Sequence, residues 1–411
     1  MDIGFAQALL LFGGLLTVVA ALSGVMKGTA LSASVLSVVL GIALAATDVV
    51  HVDATDEAIV ELVELALILT LFSDGMFVER ELLRSHWGPT ARALVIAMPI
   101  TMALLALAAK ALFPDLTWAE SFLLAAVLSP TDPVVTSAVV TSRLVPSKVR
   151  HTLNLESGLN DGLALPFVLF FLVLASPGGD AATEGLKLIG EAAIGAAIGV
   201  ALGALGGRLH RSLPGGGLTA RYEGIYAIGF ALFAFGIAEA TIGNGLIAAF
   251  VCGIAMAFGE REVPDGFVEF AENTSAILQV MTFFVFGGLI VATGFHHSIP
   301  PLVAFVAFAL LVARPVAVML SFLRTGIPQS EKLFMSWFGP KGVASMLFAL
   351  FVLKSQVESS DLIFDVAAIA IIASIVAHGL TDTIGARWLA RRVGFADGPA
   401  PGGEAATRPV S

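Results

Sequence analysis

The sequence predicts an all-α polytopic membrane protein of about thirteen transmembrane helices, built as inverted six-helix repeats with two broken helices. Three observations predict it. The chain of 411 residues is 57% hydrophobic and only 13% charged, with mean hydropathy +0.93; a soluble domain carries about 25% charged residues. Apolar runs of membrane-spanning length recur along the whole chain, and the basic loops alternate with acidic or uncharged ones. Several runs also recur at an offset of about 210 residues with reversed orientation.

The spans fall near 4–22, 29–47, 59–78, 92–113, 119–140, 151–175, 186–206, 222–240, 242–258, 269–293, 301–323, 331–353 and 361–386. Continuous runs such as LVIAMPITMALLALAAKALF (94–113) exclude a β-barrel, whose strands alternate in short segments. The first span lacks a basic flank and a small-residue cleavage site, so it reads as a retained helix. Basic loops follow spans 3, 5, 7, 11 and 13: ERELLRSHWGPTAR, SRLVPSKVRH, GRLHRSLPGGGLTAR, RTGIPQSEK and ARWLARR. The loops between them, such as DVVHVDATDE and FPDLTWAE, are acidic or bare, although Lys187 and Lys354 fall on their side. Lys and Arg concentrate in cytoplasmic loops, so the N-terminus is expected outside and the C-terminus in the cytoplasm of a plasma (inner) membrane protein. Residues 1–393 form the expected membrane domain. Residues 394–411, rich in Pro, Gly and Ala, form an expected disordered tail.

The composition excludes other classes. The single cysteine, Cys252, leaves no disulfide framework and no cysteine-based metal site. No basic block suggests nucleic acid. No HExxH, serine–lysine dyad or pyrophosphate site suggests an enzyme, and no cofactor is expected. A channel is disfavoured by the opposed broken helices of the repeat.

Spans 3–6 recur as spans 10–13, with span 7 as an extra link. A shift of seven spans, an odd number, inverts the second set in the bilayer, a pattern of secondary transporters. The repeat directs attention to two corresponding breaks. Span 5 contains SPTDPVV, with Ser129, Pro130, Thr131, Asp132 and Pro133. Its counterpart, span 12, contains FGPKGVAS, with Gly339, Pro340, Lys341 and Gly342. Prolines remove backbone donors and disfavour helix just before them. The freed carbonyls are tolerated at membrane depth only inside protein or along a wet cavity.

Span 6 opens with NLESGLNDG, which places Glu156 and Asp161 in the membrane. A carboxylate at the bilayer centre costs roughly 2.5 to 3.5 kcal/mol on insertion scales, so such groups are functional candidates. At 100° per residue, Asn154, Ser157 and Asp161 share one stripe, and Glu156 and Asn160 share the next. Asp132 should lie at similar depth. Two carboxylates, the hydroxyls of Thr131 and Ser157, and freed carbonyls make an oxygen-rich site for a hard monovalent cation such as Na⁺. Desolvation disfavours the charged form of a carboxylate, so a buried one can hold a proton or a cation but not comfortably both. Arg314 and Lys341 also lie within spans, and a buried cation needs a carboxylate partner. Glu156 is the first choice for one of them, as a structural pair that leaves Asp161 to titrate.

Other polar positions carry blander expectations. Glu61 and Glu64 sit near the outer end of span 3 on a solvated face. Asp74 is expected to cap or bond backbone near the cytoplasmic end, and His378 to be a hydrogen-bonded packing residue. His296 and His297 lie in an outer loop without a metal-site pattern. The Gly and Ala run GEAAIGAAIGVALGALGG in span 7 permits close helix approach, for packing or a dimer face.

SPTDPV, then NLESGLNDG, then a late FGPKG segment resemble the cation/proton antiporter superfamily, within it the NhaP-type sodium/proton antiporters related to animal sodium/proton exchangers. The resemblance covers essentially the whole membrane region. It implies a NhaA-like fold of a dimerisation domain and a core domain, a homodimer, and elevator-like alternating access. By that resemblance Asp161 is the shared ion and proton carrier, with Thr131, Asp132, Ser157 and Asn160 around the ion. The Asn160–Asp161 pair implies electroneutral one-for-one exchange of Na⁺ or Li⁺ for H⁺; K⁺/H⁺ exchange is the alternative. Where the family often has Arg, this chain has Lys341, which opens the partner of Glu156 to either Lys341 or Arg314.

Overall fold

Long apolar stretches cannot leave backbone groups unpaired in lipid, so the chain satisfies them within helices. The computed structural model describes residues 5–26, 33–47, 57–84, 87–132, 139, 142, 144–177, 181–212, 219–258 and 265–394. Fourteen helices lie among them: α1 (Phe5–Met26), α2 (Ala33–Ala46), α3 (Glu57–Arg84), α4 (Trp87–Leu112), α5 (Trp118–Val127), α6 (Ser147–Ala175), α7 (Ala181–Ser212), α8 (Ala220–Glu239), α9 (Gly245–Ala257), α10 (Asp265–Thr293), α11 (Ile299–Ser321), α12 (Gln329–Trp337), α13 (Val343–Lys354) and α14 (Ser360–Val393). A described helix falls within each of the thirteen expected segments, with α12 and α13 sharing one. Seven of these helices are long and apolar enough to cross a membrane by length and composition. The expected tail, Gly394 apart, and Pro133 lie outside the described residues.

The helices pack as two bundles. In the first, α2, α3, α7, α8, α9 and α10 lie against one another, and α1 lies on α2. In the second, α4, α5 and α6 pack with one another, and α11 packs against α4, α12 and α14, with α13 on α14. The bundles meet where α6 lies against α3 and α7, and where α13 lies against α3 and α10.

Two close helix crossings share one offset in sequence. Helix α2 crosses α10 so closely that a Cβ on Gly41 would strike the Phe284 carbonyl, and one on Gly287 the Val38 carbonyl. Helix α3 crosses α9 in the same way: Gly75 faces the Phe250 carbonyl and Gly253 the Phe72 carbonyl. Gly253 follows Gly41 by 212 residues, and Gly287 follows Gly75 by 212. The Gly-rich face of α7 serves packing, since Gly195 presses on the carbonyl of Asn244, which caps α9, and Gly199 and Gly203 on the Ala248 and Cys252 carbonyls of α9.

A second pair of local features recurs at a similar offset. Helix α4 contains a π-helical turn, Ala93–Ala97, and α11 contains another, Ala309–Ala313. Each lies just before a proline, Pro99 or Pro315, which cannot donate the next helical bond. Ala309 follows Ala93, and Pro315 follows Pro99, by 216 residues.

These crossings carry a stability prediction. Gly287→Val puts a branched side chain against backbone that cannot give way, so the cost should exceed the roughly 1–3 kcal/mol usual for overpacking. Thermal unfolding in detergent should show a clearly lowered midpoint, and an unchanged midpoint would refute the close crossing.

Candidate functional site

The site forms where the two broken segments meet in the second bundle. Helix α5 starts with a Thr117–Glu120 capping box and ends at Val127. Pro130 has no N–H to continue the helix, and the chain runs non-helically from Ser129 to Asp132. The other break, 338–342, separates α12 from α13. The breaks bond to each other. Asp132 N–H donates to the Pro340 carbonyl at 2.8 Å, and Lys341 Nζ donates to the Pro130 carbonyl at 3.1 Å. Val343 N–H reaches Asp132 Oδ2 at 3.4 Å. Gly342 has to be glycine, because a Cβ there would overlap the Asp132 carboxylate. Carbonyls freed by one proline are thus satisfied by the opposite break, which answers the backbone problem that each break creates.

Helix α6 brings its polar face onto this crossing. Thr131 N–H donates to Asn160 Oδ1 at 3.2 Å, and Asn160 Nδ2 donates to Thr131 Oγ1 at 2.6 Å. Thr131 Oγ1 and Ser157 Oγ lie 3.1 Å apart. The structure therefore places Thr131, Ser157 and Asn160 in one network. Asn160 joins Ser157 rather than Glu156, because residues three apart also face the same way on a helix. Asp161 lies beside this network. It is 4% exposed, and its Oδ1 has no hydrogen-bond partner among the described residues. A buried carboxylate oxygen without a partner is costly and rare in native structures.

The pair expected at Glu156 forms with Arg314. Arg314 Nη1 donates to Glu156 Oε1 at 2.8 Å, and Nη2 to the Phe338 carbonyl at 3.2 Å. Lys341 instead binds the Pro130 carbonyl, and its backbone N–H donates to Ser374 Oγ at 2.9 Å. Geometry explains the division. The planar guanidinium bridges a carboxylate and a carbonyl at once, whereas the Lys341 ammonium, a compact point charge, reaches the carbonyl of the opposite break. A cavity of about 10 Å³ adjoins the pair, lined by Thr101, Ser129, Glu156, Asn160 and Arg314 among others.

Two residues at the site were not legible as such. Asp74 was expected to cap or bond backbone; in the structure it is half-buried on α3, next to Gly158 of α6. It lies close enough to Asp132 and Asp161 for the three charges to act on one another. Gln279 on α10 donates from Nε2 to Asp132 Oδ2 at 2.9 Å. A lone glutamine in an apolar run gave no pattern to find it by. Of the remaining polar positions, Glu61 is exposed and Glu64 half-buried. His378 is buried, with Nε2 2.9 Å from the Trp337 carbonyl and Nδ1 2.7 Å from that of Ser374. His297 Nδ1 lies 2.8 Å from Asp365 Oδ2.

Among the described residues, no group of three His, Cys, Asp or Glu side chains is placed to hold a metal ion. The donors that do converge are hydroxyl, amide and carboxylate oxygens, the ligand type that hard cations take.

The family described as sodium/hydrogen exchanger, transmembrane, matches residues 10–388. The chain belongs to that family. It is a family of secondary transporters, and the protein is a multi-pass membrane protein. Similar curated proteins include the K⁺/H⁺ antiporter NhaP of Alkalimonas amylolytica, 28% identical over 340 residues. A probable Na⁺/H⁺ antiporter of Schizosaccharomyces pombe is 28% identical over 322 residues. The matches cover 82% and 74% of this chain but 58% and 42% of those relatives. The K⁺/H⁺ antiporter NhaP2 of Shewanella oneidensis is 25% identical over 397 residues, 94% of this chain and 68% of that protein. The fold is that of the sodium proton antiporter MjNhaP1 from Methanocaldococcus jannaschii at pH 8, with a TM-score of 0.72 and 17% identity, covering 94% of this chain and 100% of that one. The all-helical antiporter fold expected from the sequence is thus the fold found.

Proposed function

We propose that the protein exchanges a monovalent cation, Na⁺ or Li⁺, for H⁺ across the membrane by alternating access, with Asp161 as the shared carrier. One observation carries the reading: the buried Asp161 carboxylate has an unpartnered oxygen beside the Thr131 and Ser157 hydroxyls and the broken backbone at Thr131. Such an oxygen needs a proton or a cation, and it can exchange one for the other as the site opens to either side. Thr131, Ser157, Asn160 and Asp132 shape the ion site. Glu156 and Arg314 form its structural pair, and Lys341 joins the two breaks. The second reading, K⁺/H⁺ exchange, is favoured by the names of two of the relatives. On this proposal the protein works as a homodimer in the plasma membrane, with its N-terminus outside and its C-terminus in the cytoplasm.

The test is reconstitution in liposomes with a pH dye inside, at clamped zero voltage and then at an imposed potential. Pulses of Na⁺ or Li⁺ should move protons at a rate insensitive to voltage. A response to K⁺ alone would replace the first reading by the second. Voltage-driven exchange would overturn one-for-one stoichiometry and make Lys341 the first group to examine. No cation-driven proton movement with any of the three ions would overturn exchange altogether.

A further inference from the structure

Asp132 is held by groups from both bundles. Its bonds with the Pro340 carbonyl and the Val343 N–H come from the same bundle that carries Asp132, so they travel with it. The bond from Gln279 Nε2 at 2.9 Å comes from α10 of the other bundle. Helix α10 is fixed there, since it packs against α2, α3 and α8 and meets α2 in the tight Gly41–Gly287 crossing. A hydrogen bond of this length is lost when its partners separate by about 1 Å. Any sliding of one bundle past the other therefore breaks it, while leaving the bonds to the Pro340 carbonyl and the Val343 N–H intact.

We propose that Gln279 is a positioning residue of the exchange site, holding the Asp132 carboxylate from the first bundle in one of the two alternating states and releasing it in the other. The inference rests on the exchange reading above. The residue type suits the task. A carboxamide is uncharged, so its bond to a carboxylate biases a conformational balance without locking it. A lysine or arginine at this place would make a buried ion pair, whose rupture is far costlier. A contact made in only one state shifts the balance between states by its own strength, and a hydrogen bond to a charged group is worth roughly a tenfold shift or more. A ligand's apparent affinity on each side depends on how often the site opens there. Removal of the bond should therefore change the apparent cation KM on the two faces in opposite directions. The other charged groups around Asp132 are Asp74 on α3 and Asp161 on α6, with Lys341 of the second break acting on Asp161.

The experiment uses the full chain in liposomes of uniform orientation. Na⁺, Li⁺ and K⁺ are tested first on the wild type, and the effective ion is titrated from each face. In Gln279→Leu, the ratio of the two KM values should move by about tenfold. A change in maximal rate with the ratio intact would indicate a packing role and overturn the proposal. So would complete loss of exchange by a folded variant, which would make the amide indispensable rather than biasing. If Gln279→Leu does not fold, Gln279→Glu serves. Its new carboxyl can donate to Asp132 only when protonated, so the wild-type ratio should return as pH falls. A ratio independent of pH and equal to that of the wild type overturns the proposal. A wild type that exchanges none of these ions overturns the exchange reading and this inference with it. A wild type that exchanges, paired with variants of unchanged ratio, overturns this inference alone.

Discussion

Asp161→Asn should fold as the wild type does and exchange no cation for protons. The substitution preserves shape and keeps an oxygen at the site, so the packing of α6 at this position is retained. It removes the group that can both bind and release a proton. An amide has no proton to trade near neutral pH, and its oxygen carries no charge to hold Na⁺ against water. Cation-driven proton flux in liposomes should fall by more than about a hundredfold, because a carrier step that cannot occur has no slower alternative at the same site. The melting temperature should stay level or rise, since a desolvated carboxylate with an unpartnered oxygen is replaced by a neutral group. Flux within a factor of a few of the wild type would remove Asp161 from the carrier role. A collapse of the melting temperature would assign the residue to the structure instead.

The architecture was legible because lipid leaves the chain so few solutions. Long apolar runs have to be helices. The two breaks were legible for the same reason: Pro130 and Pro340 stand in apolar segments where proline has a large local effect. What the sequence did not show is which groups meet across helices distant in sequence. The choice between Arg314 and Lys341 as partner of Glu156 depends on the direction in which each side chain leaves the backbone. The π-helical turn before Pro315 alters that direction for Arg314, and no periodicity predicts its size. Asp74 was not read as a neighbour of the site, because its position was judged along one helix alone. Its neighbour Gly158 on α6 is the reason a carboxylate at that level faces the site. Gln279 could not be found at all, as one amide in an apolar helix has many bland explanations. The internal repeat gained single-residue support only when Gly41, Gly75, Gly253 and Gly287 were seen to share two crossings. In sequence they are four of 42 glycines.

The largest loss of stability is expected from Glu156→Gln, and the way it is relieved distinguishes a structural pair from an ion ligand. Glu156 and Arg314 are both buried and 2.8 Å apart. Removing one charge leaves the other desolvated and alone, at a cost of roughly 3–5 kcal/mol. Arg314→Met should be as harmful, for the mirror-image reason. The double substitution Glu156→Gln with Arg314→Met removes both charges, and well-packed neutral replacements of a buried pair are often close to neutral in stability. The double variant should therefore be more stable than either single one, with an interaction energy of at least about 2 kcal/mol in the cycle. Thermal unfolding in detergent measures this without requiring transport. Strict additivity of the two losses would show that the pair is not coupled in the folded protein. Transport then supplies the second half of the argument. If Glu156 serves the ion only by holding α6 against the second break, through Arg314 and the Phe338 carbonyl, restoring stability should restore part of the exchange. If the stable double variant still moves no cation, Glu156 acts on the ion itself, and the division of labour between the two carboxylates of span 6 has to be redrawn.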